Sequence, residues 1–138
     1  MTEADNARRQ PRHVTELSSV HEFLDEIRLR PEMWLRGGSL QHLDSMLIGY
    51  RTAMAVHGAE EDFPFWSPGT QGPFAEWLWQ RLGRHSSLGW AVEIEREAQE
   101  AGVPAVELFF SLFDEYRREA HPAVGSQLML DVPVPGDG

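Results

Sequence analysis

The chain has 138 residues, 41% of them hydrophobic, and sets 22 acids against 12 cations for a net charge of −10. That is one domain's worth of sequence, able to bury about two-thirds of its unfolded surface without a staple, and the absence of cysteine excludes a disulfide scaffold, a thiolate metal site and a cysteine nucleophile. The charge is uneven: residues 1–36 hold seven acids and six arginines (−1), residues 37–138 fifteen acids and six arginines (−9). A surface of that sign repels nucleic acid, whose phosphates need Lys and Arg, and suits a basic partner.

No apolar run approaches the ~18 residues of a membrane span, and the polar opening "MTEADNARRQPRHVTELSS" has no signal-peptide core. The expectation is a soluble, cytoplasmic protein with no membrane association. Residues 1–17 read as a flexible N-terminal segment, 18–122 as the folded domain and 123–138 as a C-terminal tail. Ser19 stands three residues before Glu22, a capping-box spacing. Val20, Phe23, Leu24 and Ile27 follow at helical steps until Pro31 restricts Arg30. Met33, Trp34 and Leu35 are expected to pack back onto the core.

Gly37-Gly38 breaks the chain. Ser39 then caps a second helix with Leu40, Leu43, Leu47, Tyr50 and Met54 in a stripe, ended by His57-Gly58. A loop rich in aromatics and prolines, with room for a small hairpin, leads to Pro73 as the first residue of a third helix. That helix carries Phe74, Trp77, Leu78 and Leu82 and closes at Gly83. Ser86 or Ser87 is expected to cap a fourth, with Trp90, Ala91, Ile94 and Ala98 inward and Gly102 at its end. Pro104 opens a fifth, whose Val106, Phe109, Phe110, Leu112, Phe113 and Tyr116 place it centrally. The pattern predicts an all-α bundle of about five helices with short loops. The tail from Gln127 to Val134 has room for one short strand, although its prolines argue against a central one.

Two stretches invite a binding role. The first runs through Arg28, Arg30, Arg36, Gly37, Gly38 and Ser39: three guanidinium groups around a double glycine at a helix start, which is a candidate anion or phosphate site. Its spacing matches neither phosphate-loop motif, and a helix-breaking corner is the plainer reading. The second is Glu60, Glu61 and Asp62 followed by Phe65 and Trp66, joined by Glu93 and Glu97 on the acidic face of the fourth helix. Aromatics supply contact energy and acids supply steering toward a basic protein.

Other constellations are incomplete. "HEFLD" (21–25) lacks the second histidine of a zinc motif, so no metal or cofactor is expected. His85-Ser86-Ser87 has no partner geometry for nucleophilic catalysis. No catalytic residue is assigned.

"RPEMWLR" resembles the "RPGMYIG" segment of the GHKL ATPase domains of type II topoisomerases. The helix after it lacks that family's glutamate–asparagine pair, and no Asp-x-Gly-x-Gly loop follows, so ATPase activity is not implied. Over residues 20–118 the chain also resembles a group of small bacterial proteins with the pattern IRxRPGMYLG, SLxxLxxFLxGY, GW and LFFxLLDEFR. The corresponding residues here run from Ile27 to Leu35, Ser39 to Tyr50, Gly89-Trp90 and Leu108 to Arg117, with Glu32, Trp34 and Arg36 departing from the pattern. The group resembles immunity proteins in size and acidity. The leading expectation is an interaction module, an immunity- or antitoxin-like inhibitor masking a basic protein. The alternatives are a small-ligand module using Arg28–Ser39 and a homo-oligomeric subunit.

Overall fold

A computed structural model describes residues 12–120; the tail strand and the outer part of the N-terminal segment considered above lie outside them. The described chain is all-α: α1 Val20–Leu29, α2 Pro31–Trp34, α3 Leu40–Val56, α4 Pro73–Leu82, α5 Trp90–Ala101 and α6 Ala105–Ala120, with single 3-10 turns at Val14–Glu16 and Arg36–Gly38. Five helices occupy the expected places. The addition is α2, a single turn that arises because Pro31, which cannot continue α1, has the backbone angle that starts a new helix.

The helix ends follow local chemistry. The Ser19 hydroxyl accepts from the Glu22 N–H at 3.2 Å, and the Glu22 carboxylate accepts from the Ser18 N–H at 2.9 Å, a capping box displaced by one residue on its return arm. Ser39 accepts from the His42 N–H at 3.1 Å. Gly83 and Gly102 end α4 and α5 in the left-handed conformation. The expected cap of α5 is corrected: Gly89 starts that helix, and Ser86 is used otherwise. The hairpin expected before α4 reduces to an isolated bridge between Ser67 and Thr70.

α5 packs against α3 and α6, and α4 against α6. Phe74, on the first turn of α4, is fully buried; it meets the rings of Phe65, Trp90, Phe109, Phe113 and Tyr116 edge to face at 5.5–5.8 Å and stacks on Trp77 at 5.9 Å. The central place of α6 follows from its crowded apolar face: Phe109, Phe110, Leu112, Phe113 and Tyr116 are all buried. The corner residues divide. Leu35 is buried and Trp34 packs edge-on against Phe23 at 5.4 Å, but Met33 is 67% exposed, so the expectation that it anchors the corner is corrected. On a one-turn helix only one side can face the core.

No helix among the described residues is long and apolar enough to cross a membrane.

Candidate functional site

The loop between α3 and α4 parts its aromatics. Phe63 and Phe65 are buried, whereas Trp66 is 42% exposed. Phe65 stacks on Phe113 at 5.2 Å and contacts Phe74, Trp90 and Phe109. It is a core residue, which corrects its expected place on a docking surface. The loop is held in this shape by hydrogen bonds from the Phe74 N–H to the Pro64 carbonyl (2.9 Å), the Thr70 N–H to the Ser67 carbonyl (2.9 Å) and the Gly72 N–H to the Thr70 hydroxyl (3.0 Å). Gly72 has φ +103°, and a Cβ there would lie 2.6–2.8 Å from backbone atoms of Pro64, Phe65 and Trp66. No other residue fits that crossing.

The acids also divide. Glu61 is structural: its carboxylate accepts from the Val20 N–H and from the Tyr50 hydroxyl, both at 2.7 Å. It therefore caps the start of α1 and ties it to α3. Burial and the bond to Glu61 push the Tyr50 hydroxyl well above the usual phenol range. Glu60 and Asp62 remain on the surface.

Glu93 is 1% exposed, so with Phe65 and Glu61 it is the third residue that the structure removes from the expected docking set. It accepts from Arg84 at 2.6 Å, from the Ser86 hydroxyl at 2.8 Å and from Arg96 at 3.3 Å. The Arg84 and Ser86 hydrogen bonds hold its carboxyl below the usual range. Glu97 takes the other arm of Arg84 at 3.0 Å. The pair thus pins the 83–89 turn to α5.

The arginine corner is largely engaged within the fold. Arg28 makes a two-pronged bond to Asp114 (2.9 and 3.1 Å) and lies over the Phe110 ring at 5.1 Å. Gly37 and Gly38 turn the chain with positive φ. At the start of α3, where an anion would sit, the Glu95 carboxylate already accepts from the Leu40 N–H at 2.8 Å and Ser39 occupies the His42 N–H. Arg30 and Arg36 are exposed, and Arg30 donates to the Met33 sulfur at 3.7 Å. The chain's own carboxylate stands in the anion's place, which speaks against a phosphate site there.

What the structure does assemble is a pair of hollows on either side of Trp66. One, open and of about 640 Å³, is lined by Trp66, Thr70, Gln71, Glu76, Trp79 and His85. The other, of about 320 Å³, lies along α3 between Ile48, Arg51, Thr52, Ala55 and Trp66, with the Arg51 guanidinium 5.5 Å above the Trp66 ring. Comparison with protein-family models, curated proteins and solved structures gives no match. The geometry of the two hollows therefore carries the functional argument.

Trp79, Gln71 and Glu76 escaped the sequence reading, and His85 entered it only beside Ser86 and Ser87. Trp79 falls outside the apolar stripe of α4, and only the turn after Gly83 brings His85 back against its ring, at 5.6 Å. The Ser86 hydroxyl is engaged by Glu93 and the Leu88 N–H, so it and His85 lack the mutual hydrogen bond of an activated nucleophile. His21 stacks on Phe113 at 6.0 Å. Among the described residues no group of three or more His, Asp or Glu is placed to hold a metal ion.

Proposed function

We propose that the chain is a small helical binding module of the cytoplasm that docks on a basic protein surface and masks it, as an immunity protein or antitoxin-like inhibitor does. One observation carries the reading: Trp66, 42% exposed, stands between two hollows, one of them also lined by Glu76, an exposed acid that makes no ion pair among the described residues. An exposed tryptophan next to concave surface is the usual centre of binding energy in an interface. The charge of −9 over residues 37–138 supplies long-range attraction to a basic partner and repulsion of nucleic acid. The contact set is thereby narrowed to Trp66, Glu60, Asp62 and Glu76, with Glu97 at the rim.

The test is capture from the native lysate by the tagged full chain and by its Trp66→Ala variant, washed at low and then high salt. The reading expects a basic protein, held stoichiometrically by the parent chain, released by salt and lost with Trp66→Ala. A protein retained equally by the variant and at high salt would refute it.

The second hollow favours one further reading. Ile48 (51% exposed) and Val56 (73%) leave the outer side of α3 apolar, and a second copy could cover it. Light scattering would then report a dimer in the parent chain and a monomer in Ile48→Arg.

A further inference from the structure

We propose that the hollow between Trp66 and Trp79 receives a guanidinium group, the side chain of an arginine on the protein partner. The inference rests on the reading that the chain binds a basic protein, and it names the chemistry of the contact.

Four features of the hollow converge on a planar organic cation. Trp66 is already a guanidinium platform, since Arg51 lies 5.5 Å above its ring while lining the second hollow. Tryptophan is the best cation–π acceptor, and arginine, planar and weakly hydrated, is the cation that stacks on it best. The charge in the lining is negative: among the described residues Glu76 is exposed and makes no ion pair, and no arginine lines the cavity.

Gln71 supplies the third feature. Its Nε2 donates to the Ser86 carbonyl at 3.3 Å, while its Oε1 is a buried acceptor with no hydrogen-bond partner among the described residues. A buried acceptor left unpaired is unfavourable, and a guanidinium brings five donors. Fourth, the wall is built in advance. Gly72 permits the loop to cross its own backbone, and the Thr70 hydroxyl is fixed by the Gly72 N–H at 3.0 Å, so little ordering is left for the moment of binding. A neutral sugar could use the same rings and donate hydroxyls to Glu76, but it would leave that charge unneutralised.

The experiment is a titration of the ¹⁵N-labelled full chain, read at the five tryptophan indole N–H resonances. The probes are a capped Gly-Arg-Gly peptide, its citrulline counterpart (the same shape without the charge), its lysine counterpart, and free arginine. The proposal expects saturable shifts at Trp66 and Trp79 with the arginine peptide and little change at Trp34, Trp77 and Trp90. Citrulline should bind at least about tenfold more weakly, and Glu76→Gln, at an exposed position that leaves the core alone, should weaken the arginine peptide about three- to fivefold. Equal binding of citrulline, equal or tighter binding of lysine, or shifts that never saturate would overturn the guanidinium site. Free arginine binding more tightly than the peptide would overturn its assignment to a protein side chain. The titration needs no partner, so it decides the hollow alone; the capture experiment decides the broader reading.

Discussion

Arg84 offers the sharpest test of the structural reasoning. It is a half-exposed surface arginine, and truncating such a residue ordinarily changes stability by less than about 1 kcal/mol. Its partner is different, because Glu93 is 1% exposed. Arg84→Ala strands that carboxylate with the Ser86 hydroxyl at 2.8 Å and a longer bond to Arg96 at 3.3 Å. Removing one member of a buried ion pair costs about 3–5 kcal/mol. Arg84 is itself 46% exposed and two contacts remain, so water screens much of that penalty and the loss falls short of a fully buried pair's. The matched control is Arg81→Ala, which removes a 3.0 Å bond to Glu115, a pair whose ends are 49% and 29% exposed, and should cost less than about 1 kcal/mol.

Urea unfolding followed by tryptophan fluorescence reads both. Arg84→Ala should lower the midpoint clearly more than Arg81→Ala does. Adding Glu93→Gln to Arg84→Ala should recover part of the loss, since it removes the stranded charge. The pH dependence gives an independent check. Glu93 titrates below its unfolded value of 4.5 in the fold. Its pairing therefore contributes stability fully above that pH and loses it as pH falls through the depressed folded value. The gap between parent and Arg84→Ala should close in acid. If Arg84→Ala resembles Arg81→Ala, or if the double variant is simply additive, the buried-carboxylate account is wrong.

Adjacent residues in the α3–α4 loop should respond oppositely: Phe65→Ala should cost about 3–5 kcal/mol, while Trp66→Ala should leave the urea midpoint within about 0.5 M and remove partner capture. Gly72→Ala should unfold the loop and cost more than about 3 kcal/mol, whereas Gly37→Ala, with φ +61° and open space around it, should cost about 1–2 kcal/mol, both by urea midpoint. His21 titrates below 6.5 in the fold, chiefly through burial and then through Arg117, against the opposing Asp62, Glu61 and Asp25. The unfolded chain then binds the proton more readily, so stability should fall as pH drops below 6.5, and His21→Phe should flatten urea midpoints compared between pH 7 and about pH 5.5.

The helix starts at Ser19, Ser39 and Pro73 and the ends at Gly83 and Gly102 were legible because capping is local: the residue that satisfies the backbone lies within a turn of it. The sides of the helices were legible wherever a stripe repeats. Met33, Phe65 and Trp66 were not, because a one-turn helix and a loop have no period. Which of two neighbouring aromatics points inward is decided by the crossing at Gly72. Glu61 and Glu95 were illegible for another reason. They cap α1 and α3 across 41 and 55 residues of chain, and a run of acids looks the same in sequence whether it faces water or a distant helix end. Gly89 displaced Ser86 as the start of α5 because the buried Glu93 carboxylate claims that hydroxyl.

This division of the acids changes what the net charge does. Glu26, Glu61, Glu93, Glu95, Asp114 and Glu115 each hold a backbone N–H, a hydroxyl or an arginine within the fold. Their charge still attracts a basic partner from a distance, but their oxygens are not free to contact it. Attraction and contact should therefore separate kinetically. Raising salt screens the field over about 8–10 Å and slows association. Trp66→Ala removes close contact and leaves the field intact, so it should hasten dissociation and hardly change the association rate. Surface plasmon resonance on the captured partner would resolve the two. A Trp66→Ala variant that associates slowly but dissociates normally would mean that the tryptophan guides the encounter, and that the energy of binding lies elsewhere on the surface.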